Sequence, residues 1–157
     1  MSFQISGLPV ARFAPLFGLS DAELAKQSIV RHKADAVPGF PCRVSLRDAD
    51  VGDTLLLLNY EHLALASPYR SSYAIYVREY ADEAHVAVNE VPEVLQRRLL
   101  SLRAFDKKGM LLNADVVDGR DVSPLIERML ENSAVEFLHV HNAKPGCFAA
   151  RVDRVVG

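Results

Sequence analysis

Apolar and polar residues alternate with a period of two over residues 135–141, where Leu138 and Val140 fall on one side and Phe137, His139 and His141 on the other. That spacing is a strand's. After the turn-forming run Asn142-Ala143-Lys144-Pro145-Gly146, residues 147–155 alternate again, with Phe148, Ala150 and Val152 apolar and Arg151 and Asp153 charged. The two segments read as a hairpin. Opposed residues of an antiparallel pair share a face, so the even-numbered apolar residues must oppose one another if a single core is to be buried. The simplest register sets His141 opposite Cys147, His139 opposite Ala149 and Phe137 opposite Arg151.

The same periods divide the rest of the chain. Residues 3–8 read as a short strand, and Ser20 then caps a helix, with Glu23 completing a capping box and Leu19 and Leu24 at the staple positions. A strand over 29–33 follows, and Pro38-Gly39-Phe40-Pro41 turns the chain into another over 42–47. There Cys42, Val44 and Leu46 take the core side, while Arg43 and Arg47 take the other and form ion pairs. Gly52-Asp53 leads into residues 54–62, whose four consecutive leucines at 55–58 indicate a strand buried on both faces. Residues 73–78 return antiparallel to it. Pro92 opens a helix that turns Val94, Leu95 and Leu99 inward. Residues 100–105, the turn Asp106-Lys107-Lys108-Gly109 and residues 110–117 give the strongest local hairpin signal. Ser123 caps a further helix begun by Pro124, with Leu125, Ile126, Met129 and Leu130 toward the core. This order predicts an α+β fold, a mainly antiparallel sheet of several strands with about three short helices packed on it.

Composition sets the frame for chemistry. A chain of 157 residues, half of them apolar and 24% charged, suits one globular domain over 1–157. Such a chain buries about 70% of its unfolded surface and needs no covalent staple. The start Met1-Ser2-Phe3-Gln4-Ile5 lacks the basic and apolar regions of a signal peptide. No apolar run approaches the roughly 18 residues of a membrane helix. With only Cys42 and Cys147, the expected compartment is a reducing cytoplasm. A net charge of -2 and a pI near 6.2 weigh against nucleic acid as a partner, and Arg97, Arg98, Arg103, Lys107 and Lys108 read as a solvated face. No glycine pattern of a phosphate loop or dinucleotide fold occurs.

Candidate chemistry concentrates on the last hairpin, whose register gathers His139, His141, Cys147 and Arg151 on one face. Three readings fit. His139 and His141 at i and i+2 on a strand, with a thiolate beside them, suit a transition metal such as zinc with one open position. Alternatively, His141 draws the proton from Cys147 in a thiol-dependent enzyme or redox sensor, with Gly146 letting the backbone approach a reacting group. The third reading is structural, with both histidines on a half-solvated sheet face and Cys147 packed as a small hydrophobe beneath the turn.

Blocks through most of the chain resemble a known family. Phe40-Pro41-Cys42-Arg43-Val44-Ser45-Leu46-Arg47-Asp48, Leu56-Leu57-Leu58-Asn59-Tyr60-Glu61-His62, Ser67-Pro68-Tyr69-Arg70, Leu100-Ser101-Leu102-Arg103-Ala104, Ala114-Asp115-Val116-Val117 and His139-Val140-His141-Asn142 with Gly146-Cys147 are similar to the signature blocks of the bacterial family called domain of unknown function 1203. The resemblance implies a small soluble bacterial protein and nothing about catalysis. Two other patterns do not extend to this chain. A cupin His-x-His continues to a Glu where Asn142-Ala143-Lys144-Pro145 stands, and a histidine triad hydrolase needs a third His at Ala143.

Two further groups are placed to complete a site. Ser67, Tyr69, Arg70, Ser71 and Ser72 can seat a carboxylate or phosphate, or can form a solvated loop in which Tyr69 covers a sheet edge. His62 lies with Tyr60 at the end of the leucine-rich strand. The preferred expectation is a small-ligand or metal site on the final hairpin, with Arg151 orienting an anionic group and Tyr69, Arg70 and His62 in support. A non-enzymatic protein-interaction module is the rival, and an exposed sheet edge or flat apolar patch would favour it.

Overall fold

The alternating segments become strands in the computed structural model, which describes residues 1–156. In chain order the described residues form β1 (Phe3–Ser6), α1 (Asp21–Ala25), β2 (Val30–Lys33), β3 (Pro41–Cys42), β4 (Arg47–Asp48), β5 (Thr54–Leu63) and β6 (Ser71–Arg78). Then come α2 (Glu93–Gln96), β7 (Leu99–Phe105), β8 (Leu111–Asp118), α3 (Val122–Leu130), β9 (Phe137–Asn142) and β10 (Phe148–Arg154). The fold is α+β, with two mostly antiparallel five-stranded sheets ordered β1-β10-β9-β7-β8 and β2-β5-β6-β3-β4. The chain divides into two compact units, one of Met1–Ser6, Glu61–Tyr73 and the residues from His85 onward, the other of Gly7–Tyr60 and Ala74–Ala84. Among the described residues, no helix is long and apolar enough to cross a membrane.

The first unit holds the β1-β10-β9-β7-β8 sheet. Leu138, Val140, Ala150 and Val152 oppose one another across β9 and β10 and are fully buried, as even-on-even pairing requires. The helix α3 lies against β7 and β8 and buries Leu125, Ile126, Met129 and Leu130. Each large apolar side chain withdrawn from water in this way contributes about 1.5–3 kcal/mol. Single groups on both outer strands of this sheet have partners. On β1, Phe3 N–H donates to Asn89 Oδ1 at 3.0 Å and the Phe3 carbonyl accepts from Asn89 N–H at 2.8 Å. On β8, Ala114 N–H donates to Asn113 Oδ1 at 2.9 Å and Val116 N–H to Asp115 Oδ1 at 2.8 Å. These two amides are thereby engaged by the strand's own side chains.

In the second unit, the capping box of α1 forms as its spacing predicts, Glu23 N–H donating to Ser20 Oγ at 3.1 Å. Arg31 on β2 ties this region together, donating to Glu79 Oε1 at 2.7 Å, to the Leu19 carbonyl at 2.6 Å and to Asp21. That guanidinium, with the Gly18 N–H, holds the Glu79 carboxyl below its ordinary value against the opposing effect of burial.

Four sequence-based expectations are corrected. Residues 42–47 are not one strand. Cys42 and Arg47 pair across a tight turn in which Leu46 takes a φ of 54°, and the burial of Cys42, Val44 and Leu46 comes from that turn. Arg43 is buried, and its Nη1 donates to the Pro41 carbonyl at 2.7 Å. Leu99 begins β7 instead of extending α2, and is 45% exposed. The N-cap position of α3 is Asp121, not Ser123, and it makes no side-chain capping bond; the 3-10 turn Gly119–Asp121 before it is capped by Asp118, which accepts from Arg120 N–H.

Candidate functional site

Three strands of the first unit set out the site in rows. Ser101, His141 and Phe148 oppose one another across β7, β9 and β10; Arg103, His139 and Arg151 form the next row, and Phe105 and Phe137 the third. Directly opposed residues share a face and lie about 4.5–5.5 Å apart at Cβ. β9 sits between two partners and buries all six of its residues, with His139 at 3% and His141 at 1% exposure.

The register predicted for the last hairpin is corrected here. Phe148, not Cys147, opposes His141 because the loop closes with Asn142 beside Cys147, and Arg151, not Ala149, opposes His139 because the ladder shifts by a further residue between Phe148 and Ala150. This β-bulge lets Phe148 join the histidine face while Ala150 and Val152 keep to the apolar one. Cys147 pairs with Asn142: the Asn142 N–H donates to the Cys147 carbonyl at 2.9 Å, and Asn142 Nδ2 reaches Cys147 Sγ at 3.6 Å. Alternation therefore carries the buried Cys147 side chain to the face opposite His139 and His141. Of the four residues expected on one face, His139, His141 and Arg151 are there.

His62, near the end of β5, completes a group of three imidazoles. Its ring centroid lies 4.9 Å from that of His141 and 5.9 Å from that of His139, and it stacks on Phe148 at 5.7 Å. His139 is also ringed by Phe105 at 5.6 Å, Phe137 at 4.9 Å and Phe148 at 5.0 Å. This enclosure is costly for a charged ring. Burial pushes the His139 imidazole down to about 3, and the nearby His141, His62, Arg151 and Arg103 add to the effect. His139 is thus neutral at pH 7, and its Nδ1 is buried without a hydrogen-bond partner.

The His141 Nδ1 lies 2.9 Å from the Gly146 carbonyl, which can only accept, so this ring nitrogen carries a proton and donates it to the turn. Gly146 makes this geometry available through a φ of 81°, which a side chain would strain.

The two arginines flanking His139 differ. Arg151 chelates Asp153 through Nε and Nη2 at 2.9–3.1 Å and lies 4.4 Å over the Phe137 ring. Arg103 is half-buried; its one hydrogen bond among the described residues runs to Ser101 Oγ at 3.4 Å, and burial lowers its pKa. It forms no ion pair among those residues. The loop candidates are more exposed. Tyr69 meets the edge of Phe105 at 6.2 Å, and Arg70 pairs with Glu61 at 2.9 Å. Ser67 Oγ donates to the Gly109 carbonyl at 2.8 Å, tying the loop to the turn before β8.

Arg103, Ser101, Phe105 and Phe148 were not singled out from sequence. From sequence Arg103 reads with its basic neighbours as part of a solvated face, and only the long-range pairing of β7 with β9 sets it beside His139. The parity of Ser101, Arg103 and Phe105 along β7 was the available signal. Among the described residues, no group of three or more His, Cys, Asp or Glu side chains is arranged to hold a metal ion.

Comparison with known proteins adds a family. Residues 39–154 match the model described as Protein of unknown function (DUF1203). No curated protein and no solved structure matches the chain.

Proposed function

Because the chain belongs to the family described as Protein of unknown function (DUF1203), its activity has to be argued from its own residues, and we propose that it binds a small anion on the histidine-bearing face of β7, β9 and β10. The observation that carries this reading is Arg103, a half-buried guanidinium with no carboxylate partner among the described residues. Taking a cation out of water without a counter-charge is unfavourable, and a bound anion offsets it. Arg103 is the principal cation, Ser101 its neighbouring hydroxyl, and Arg151 a second guanidinium already held by Asp153. His139, whose pKa burial lowers, adds no positive charge of its own at pH 7. Against a docking module that adds a strand, Asn89 engages Phe3 on β1, and on β8 the Ala114 and Val116 N–H groups are taken up by the strand's own side chains.

Titration with acetate, glycolate, inorganic phosphate and sulfate at constant ionic strength, followed by amide and arginine Nε resonances, tests the proposal. Saturable shifts at Ser101, Arg103, His139 and Arg151 for at least one anion, lost in Arg103→Gln, are expected. Shifts that rise linearly, or that persist unchanged in Arg103→Gln, would overturn it.

A further inference from the structure

The rows that carry Arg103 continue onto β8. Ala114 opposes Arg103 on the side away from His139, and Val116 opposes Ser101. Leu99, two residues before Ser101, comes to the same face by strand alternation. All three side chains are exposed, Leu99 at 45% and Val116 at 56%. Asn113 and Asp115, by contrast, oppose Ala104 and Leu102 and so belong to the other face. Exposed apolar side chains are ordinary when scattered, but these three are contiguous with a cation that has no carboxylate partner among the described residues. From the Arg103 row to the Leu99 row the apolar strip runs about 13 Å at the rise of a strand. At its far end Asp118 opposes Leu99 and pairs with Arg120 at 3.1 Å.

We propose that the anion bound at Arg103 is amphipathic, a free medium-chain carboxylate with its headgroup on Arg103 and its alkyl chain laid over Ala114, Val116 and Leu99. The inference rests on the anion-binding reading above and names its ligand class. Charge complementarity sets the direction, because a headgroup at the opposite end of the strip would meet Asp118. The chain and the strip withdraw apolar surface from water together. A methylene fully withdrawn raises affinity about fourfold, and one laid on an open face about twofold. Three side chains suit a single alkyl chain rather than a protein, since a stable protein interface buries about 800 Å² on each partner.

Amide-resonance titrations of the full chain near pH 7 and at constant ionic strength, with acetate, butyrate, hexanoate and octanoate, the last kept below its aggregation concentration, test this. Affinity is expected to rise along the series, roughly tenfold or more from acetate to octanoate, with shifts at Ala114 and Val116 that acetate does not produce. In the double variant Leu99→Gln, Val116→Thr, both at exposed positions, the rise should disappear while acetate binds as before. Equal affinities along the series, or a rise unchanged in the double variant, would overturn the inference while leaving the anion site in place. A rise that survives Arg103→Gln would show chain binding independent of the cation and overturn both readings. Absence of binding by all four would overturn the inference, and the anion reading would then be decided by phosphate and sulfate. Should the double variant not fold, the shifts at Ala114 and Val116 in the unaltered protein decide whether the chain lies on the strip.

Discussion

Arg103 and His139 oppose one another directly across the β7–β9 ladder, so a guanidinium without a carboxylate stands beside an imidazole that its surroundings keep neutral. Neither choice favours stability. A methionine at 103 would keep the apolar stem of the side chain and remove the desolvated charge. Arg103→Met is therefore expected to be as stable as the original or up to about 1 kcal/mol more stable without ligand. It should also lose any stabilisation by phosphate or glycolate. Thermal melts with and without these anions check both effects, and a strongly destabilised variant would speak for a structural role.

Acid should act on the fold through His139. The unfolded chain's histidine titrates near 6.5 and the folded one near 3, so between these values the unfolded state binds the extra proton. The stability is fully present above about pH 6.5 and falls by about 1 kcal/mol per pH unit as pH drops toward 3. Urea unfolding at pH 7.5, 6 and 5 should show this slope, above the range in which most carboxylates titrate, and His139→Phe should flatten it. An unchanged slope in that variant would assign the acid response elsewhere.

Gly146→Ala separates backbone from side-chain effects at the turn. Its φ of 81° is left-handed and its Cβ position is open, so strain rather than collision sets the cost, about 1–2 kcal/mol. Because the Gly146 carbonyl accepts from His141, the substitution should also move the His141 imidazole nitrogen resonances. Denaturant melts together with imidazole nitrogen spectra check the pair. A loss of stability with those resonances unmoved would detach the histidine from the turn.

The self-engaged amides of β8 bear on association. Replacing both Asn113 and Asp115 by valine frees the Ala114 and Val116 N–H groups and raises strand propensity. Sedimentation velocity over a range of concentrations should then show self-association beyond that of the unaltered chain. Unchanged sedimentation would mean that this edge is protected by something other than these two side chains.

What was legible in the sequence follows the range of the interactions. The capping box of α1, the β7–β8 hairpin and the buried face of α3 are set by neighbours in the chain, and each appears where its spacing predicts. Residues 42–47 differ from the strand their alternating apolar residues predict because such residues line a tight turn as readily as a strand. Within the candidate site, His139, His141 and Arg151 were visible through parity, whereas Cys147 was misplaced by one residue because no local pattern marks that the loop closes with Asn142 beside it. Bringing His62 to the cluster, and Arg103 to His139, depended on packing and pairing between distant segments.

The bulge also governs how β10 tolerates change. On either side of Ala149, sensitivity to substitution should recur at every second position, but the two series are out of step. Phe148 and Arg151, three residues apart, answer to one layer, and Ala150 and Val152 to the other. Deleting Ala149 would bring the strand into a single phase, with Phe148 still opposite His141 and Ala150 still opposite Val140. A one-residue loss there should therefore leave both layers in place, because it removes only the residue that the ladder leaves unpaired.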